Sequence, residues 1–166
     1  MKICVRDAFA SDSYRREYDF VFKNGEISDF PDGGSADKVF AKAVIETVNG
    51  KVACRLSVKA DIRTVCSRCA CEFILPFSSE TVKEIKRRDD GEFEDVIYTD
   101  GGFCFDVAEE ARAQIYFEFP AKPLCREDCK GLCPVCGCDL NTSSCSCDIR
   151  TTDPRLDVLK KLIDNN

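Results

Sequence analysis

The chain has 166 residues, 44% of them hydrophobic with 12 Phe and 4 Tyr, which is enough to bury one core. It carries 13 Cys, no His and a formal charge of −6. The missing histidine excludes His-dependent Ser and Cys nucleophiles, His-Glu-x-x-His proteases and imidazole acid–base catalysts, and no apolar run approaches the ~18 residues of a membrane span.

In chain order, Met1–Phe9 and Tyr18–Lys23 read as short β-strands around the polar stretch 11–17. Charged residues Arg6, Asp7, Asp12, Arg15, Arg16 and Glu17 interrupt any signal-peptide pattern, which predicts a cytoplasmic chain. Pro31, Gly33 and Gly34 break the chain into a loop over 29–37. The clearest local pattern follows. Val39–Val48 is a β-branched run, Asn49-Gly50 is a hairpin turn signal, and Lys51–Val65 alternates strictly. Val52, Cys54, Leu56, Val58, Ala60 and Ile62 fall on one face, so Cys54 reads as a core thiol and not a ligand.

Cys66-Ser67-Arg68-Cys69 stands where that strand ends, and Cys71–Lys86 reads as the next strand. A charge run through Asp89, Asp90, Glu92, Glu94 and Asp95 reads as a solvated loop. Residues 96–98 and 103–105 suggest brief strands. Asp106-Val107-Ala108-Glu109 resembles a capping box opening a helix over 106–118, with Val107, Ala111 and Ile115 as its buried stripe and Pro120 beyond its end. Residues 125–148 are dense in cysteine and turn formers. Asp153-Pro154 then starts a short amphipathic helix with Leu156, Leu159, Leu162 and Ile163 on one side.

These elements predict an α+β protein, mainly antiparallel β-sheet with one packed helix, a C-terminal zinc-knuckle module and a short C-terminal helix. The predicted division is 1–120, an antiparallel β domain bearing the first Cys-x-x-Cys turn, and 121–166, the knuckle module and last helix.

Close cysteine pairs in a chain without a secretion signal point to metal rather than to disulfides. Cys133-Pro134-Val135-Cys136-Gly137 is the strongest signal: two thiols from one tight turn, with proline presetting φ and glycine permitting positive φ. Cys145 and Cys147 follow after a short loop. Cys66 and Cys69 lack the proline and glycine, and Cys125 and Cys129 are their plausible partners. The eight ligand candidates are therefore Cys66, Cys69, Cys125, Cys129, Cys133, Cys136, Cys145 and Cys147, for two structural Zn²⁺. Spacing leaves two partitions open. Either Cys66, Cys69, Cys125 and Cys129 form one site and the later four another, or the two Cys-x-x-Cys turns pair with each other. Cys4, Cys71, Cys104 and Cys138 remain, and the second and fourth of these lie close enough to rival a ligand. An all-thiolate site is normally closed and structural, so no catalytic residue is expected.

Charge is uneven. Residues 61–120 carry 7 basic and 14 acidic side chains, against 10 and 9 in 1–60. An acidic surface suits a basic protein partner better than bare RNA. The competing readings are a direct RNA contact through Arg63, Arg68, Lys83, Lys86, Arg87 and Arg88, and a thiol regulator that releases zinc on oxidation.

The order hairpin, Cys66-Ser-Arg-Cys69, acidic loop, helix, Pro123-Leu-Cys125, Cys129-Lys-Gly-Leu-Cys133-Pro-Val-Cys136-Gly, Asp139-Leu-Asn141, Cys145-x-Cys147 and Asp153-Pro-Arg-Leu resembles the YceD-type family of large ribosomal RNA subunit accumulation proteins. The resemblance runs from the hairpin onward. It implies a bacterial, cytoplasmic, non-enzymatic role in accumulation of large-subunit ribosomal RNA, with a ribosomal or RNA-processing protein as partner. Family members that keep the first Cys-x-x-Cys but lack the later knuckle favour the first partition.

Overall fold

In the computed structural model, residues 1–23, 25–28, 30–87 and 96–147 are described. The elements are β1 (Lys2–Cys4), α1 (Arg6–Ala10), β2 (Arg15–Lys23), β3 (Ser35–Val48), β4 (Lys51–Val65), β5 (Glu72–Arg87), β6 (Val96–Thr99), β7 (Cys104–Asp106) and α2 (Val107–Glu118). A single 3-10 turn at Pro31–Gly33 lies between β2 and β3. The α+β class with a mainly antiparallel sheet holds. The expected helix after Asp153 and the acidic run at 89–95 fall outside the described residues.

Alternation dictates the main sheet. β3 and β4 pair antiparallel from Val48↔Lys51 outward, joined by Asn49 and Gly50, both at positive φ as a two-residue hairpin turn requires. β2 joins on one side and β5 on the other, giving the order β2-β3-β4-β5-β6. β6 runs parallel to β5 through Glu84↔Val96 to Arg87↔Thr99. The even face of β4, from Val52 to Ile62, is buried together with Phe22, Ala41, Ala43, Ile45, Phe77, Ile85 and Ile97.

Helix α2 covers that face with Val107, Ala111 and Ile115. Asp106 caps it, its carboxylate accepting from the Ala108 N–H at 2.8 Å and from the N-terminal ammonium at 3.0 Å. Gln114 is buried against the sheet but satisfied: its amide donates to Ser79 Oγ at 2.7 Å and to the Leu56 carbonyl at 3.3 Å, and its oxygen accepts from Thr81 Oγ1. The half-buried Lys83–Glu110 ion pair, 3.1 Å, ties α2 to β5 at the same level.

The N-terminus departs from its expected strand. Only Lys2–Cys4 is extended, and Arg6–Ala10 turns into α1, where Ala8 enters the core and its carbonyl accepts from buried Thr47 Oγ1 at 2.8 Å. So short a helix has no stability of its own, and tertiary packing decides it. β1 pairs with the distant β7, and at its last register position Cys4 and Cys104, 100 residues apart in sequence, are joined by a disulfide. The close cysteine pairs and the lack of a secretion signal predict metal rather than disulfides, and the Cys4–Cys104 bond is a correction to that expectation.

Candidate metal centre

The first cysteine turn links β4 to β5. The Cys66 N–H donates to the Cys71 carbonyl at 2.9 Å, and the Ala70 N–H returns to the Cys66 carbonyl at 2.9 Å. The second turn repeats this: Cys133 N–H to the Cys138 carbonyl at 2.8 Å, and Gly137 N–H to the Cys133 carbonyl at 2.9 Å. The residue after the second thiol is left-handed in both, Gly137 at φ 73° and Ala70 at φ 56°. The two turns are therefore the same knuckle. Alanine at position 70 makes the first a weaker signal in the sequence, because only glycine adopts that conformation freely.

Helix α2 ends at Phe119, and the chain returns under the first turn. The Ser67 N–H donates to the Pro123 carbonyl at 2.8 Å, which sets Cys125 and Cys129 opposite Cys66 and Cys69. The Cys66–Cys129 sulfurs stand 3.8 Å apart and the Cys69–Cys125 sulfurs 3.7 Å. Four thiolates around one tetrahedral metal at ~2.3 Å have edges of about 3.8 Å. All four sulfurs lie within 4.8 Å of one another, and so do those of Cys133, Cys136, Cys145 and Cys147. The eight expected residues thus gather into two groups that can each hold a metal ion, grouped as in the first partition and not with the two turns sharing a site.

Electrostatics within the groups fit a cation. Burial pushes the Cys66 thiol up, but the N–H groups of Cys125, Cys69 and Arg68 outweigh it and bring it to about 6. The N–H groups of Cys136 and Val135 likewise bring Cys133 to about 6. Their companions move the other way. Burial and the Cys66 and Cys69 thiols raise Cys125, while hydrogen bonding to Cys136, with burial, pushes Cys147 up to about 12. Each group thus favours some thiolates and resists a full set until a positive ion joins it. Cys54, by contrast, is pushed up to about 12 by burial in the apolar core, as an inert thiol should be.

Residues whose bracing role no sequence pattern indicates hold the two knuckles together. Arg68 donates to the carbonyls of Cys129, 2.8 Å, and Glu127, 3.3 Å, and its own carbonyl accepts from the Leu132 N–H at 3.1 Å. Gly131 passes so close that a Cβ there would sit 2.9 Å from the Arg68 carbonyl oxygen. Asn141 donates to Cys129 Sγ at 3.6 Å while its oxygen accepts from the Lys130 N–H and from Arg126, both at 2.8 Å. The remaining thiols differ. Exposed Cys71 lies 3.2 Å from Cys69 Sγ, whereas Cys138 lies 3.1 Å from Ser143 Oγ.

The profile of the family described as large ribosomal RNA subunit accumulation protein YceD matches residues 54–163, a span that includes most of β4, all of β5 and α2, and all eight clustered cysteines. The chain belongs to the YceD family. A chloroplastic large ribosomal RNA subunit accumulation protein YCED homolog 1 of Zea mays is 44% identical over 46 residues, which is 27% of this chain and 16% of the maize protein. No solved structure matches. Residues 1–53 of this YceD-family chain, including β1 to β3, lie outside the matched span.

The described basic residues considered for RNA contact each have a partner within the chain. Arg68 braces the metal loop, Lys83 pairs with Glu110, Lys86 with Glu84 at 3.9 Å, and Arg87 stacks over the Phe103 ring at 5.1 Å. Exposed Arg63 stands 4.0 Å from Asp37, and Arg88 lies outside the described residues. No helix among the described residues is long and apolar enough to cross a membrane.

Proposed function

We propose that this chain is a non-enzymatic, cytoplasmic factor in bacterial ribosome biogenesis that supports large-subunit ribosomal RNA accumulation by docking a basic ribosomal or RNA-processing protein. Two structural Zn²⁺ ions are held in the proposal by Cys66, Cys69, Cys125 and Cys129, and by Cys133, Cys136, Cys145 and Cys147. The observation that carries it is the pair of all-thiol groups of four within the family-matched span. Four thiols fill a tetrahedral zinc and leave no position for substrate, which favours scaffolding over catalysis. Bound zinc would supply cross-linking and neutralise the thiolates. Arg68, Gly131 and Asn141 keep the loops in register around the sulfurs. Residues 1–120 and 121–166 then act as sheet domain and knuckle module, with the first site drawing on both.

The acidic excess of residues 61–120 supplies the charge for a basic partner. Elemental analysis of freshly reduced protein should give two zinc ions per chain. Deletion of the gene should lower the ratio of large- to small-subunit ribosomal RNA. Replacing Asp89, Asp90, Glu92, Glu94 and Asp95 by Asn and Gln together should weaken recovery of ribosomal proteins with the chain. An unchanged RNA ratio with normal subunit profiles would remove the role.

A further inference from the structure

Each knuckle carries one more thiol than a tetrahedral site can use, at the same offset: Cys71 after Cys66, and Cys138 after Cys133. The two are placed differently. Cys138 is half-buried and lies against the Ser143 hydroxyl at 3.1 Å, itself fixed by the Asp139 carbonyl at 2.9 Å. Cys71 is exposed, and its sulfur lies 3.2 Å from Cys69, a member of the first thiol group. A disulfide bond measures ~2.05 Å, so closing that pair takes a movement of about 1.2 Å between side chains two residues apart, on either side of Ala70.

We infer that Cys71 is a redox-active thiol of the first knuckle, oxidised by peroxide into a disulfide with Cys69 that removes Cys69 from the metal group. The steps balance as follows. The Cys71 sulfur attacks one peroxide oxygen, the O–O bond breaks, and Cys71 sulfenic acid forms with release of one water. The Cys69 thiolate then attacks the Cys71 sulfur, forming the S–S bond and expelling hydroxide, which takes up a proton to become the second water. Two electrons pass from the two sulfurs to the peroxide. A thiol reductant reverses the change by exchange at the exposed Cys71 sulfur.

Three placements support the assignment. Cys71 is open to a small oxidant, whereas Cys66, Cys69 and Cys129 are buried. The partner sulfur is already in contact. The backbone of the turn is fixed by the paired Cys66 and Ala70 hydrogen bonds, which keep the two sulfurs on one side. The inference rests on the metal reading above only for its consequence, loss of a ligand; the disulfide itself does not depend on it.

The test uses the full-length chain loaded with Zn²⁺, treated with hydrogen peroxide and followed by zinc release to a chromogenic chelator and by peptide mapping. Release of the first zinc equivalent should coincide with a Cys69–Cys71 disulfide and reverse with dithiothreitol. Cys71→Ser should slow that release about ten-fold or more, because a held sulfur pair reacts as one unit. Cys138→Ser should leave it unchanged, and both variants should keep wild-type amide protection in β4. Release at the wild-type rate from Cys71→Ser, or a first disulfide mapped to any other pair, would overturn the inference. A chain that takes up no zinc sinks the metal reading instead, and mapping of the metal-free chain still decides whether Cys69 and Cys71 join.

Discussion

The two knuckles share a backbone and differ in what surrounds it. The first is inserted between β4 and β5, its Cys66, Cys69 and Cys129 sulfurs buried and packed with Phe73 and Leu124. The second hangs beyond it: Cys133 is buried, but Cys136 is exposed and Cys145 and Cys147 are only half-buried. Its described backbone is held by turn hydrogen bonds and a single bridge, Leu132↔Asp139. The same local turn is thus stabilised by a sheet in one place and chiefly by its thiol group in the other. Metal dependence should follow surroundings and not sequence motif.

The largest expected effect breaks the comparison outright. Chelation at neutral pH should abolish amide protection at Cys133 and Gly137 while residues in the middle of β4 stay protected, since structural zinc supplies ~10–16 kcal/mol of apparent folding free energy where little core exists. The Cys66 and Ala70 amides should lose protection only in part. Hydrogen exchange reads all of these at once, and collapse of β4 on chelation would show that the sheet leans on the metal as well.

Next comes the joint between the knuckles. Gly131→Ala places a Cβ against the Arg68 carbonyl at positive φ and should destabilise the second module by about 2 kcal/mol, measured as a weaker zinc affinity there. Wild-type affinity would mean that the two loops move independently.

Proton competition gives a smaller, graded effect. Cys66 and Cys133 are lowered to about 6, so above that pH they are already thiolates, while Cys147, near 12, must lose its proton on binding. Zinc affinity at each site should therefore fall as pH falls, and fall more steeply below about 6, where one further thiol per site takes up a proton. Each added proton is worth a ten-fold change per pH unit, about 1.4 kcal/mol. Chelator competition between pH 5 and 8 checks the slope, and a constant slope through pH 6 would contradict the low thiol values.

The smallest effect sharpens the comparison by making the turns alike. Ala70 sits at φ 56°, where alanine is strained by roughly 1 kcal/mol, so Ala70→Gly should stabilise the first knuckle by somewhat less than that. Gly137→Ala should do the opposite to the second. Thermal unfolding of the zinc-loaded variants measures both.

Much of this architecture is legible where physics is local. β4's alternation, the Asn49-Gly50 turn and the Asp106 cap each state their structure within a few residues, and the buried stripe of α2 follows from helical spacing. What stays hidden is long-range or conditional. Nothing near Cys4 indicates that β1 will meet β7. α1 exists because Ala8 and Thr47 find each other. At the site, the cysteines announce themselves by spacing, while Arg68 and Asn141 do not, because their partners are carbonyls and a sulfur brought close only by the fold. Identical spacing also conceals the contrast between Cys71 and Cys138, which depends on whether a cysteine or a serine is the neighbour.

The span of the first thiol group sets a schedule for the growing chain. Cys66 and Cys129 are 63 residues apart and Cys69 and Cys125 are 56, whereas the second group fits within 133–147. At ~5–20 residues per second, synthesis leaves the first pair of sulfurs without their counterparts for roughly 3–13 s. Closing the longer loop also costs roughly 1.2 kcal/mol more chain entropy, about two doublings of length. The sheet must therefore assemble around an unfinished centre, and the group begun first is completed by a chain that reaches the second almost at once.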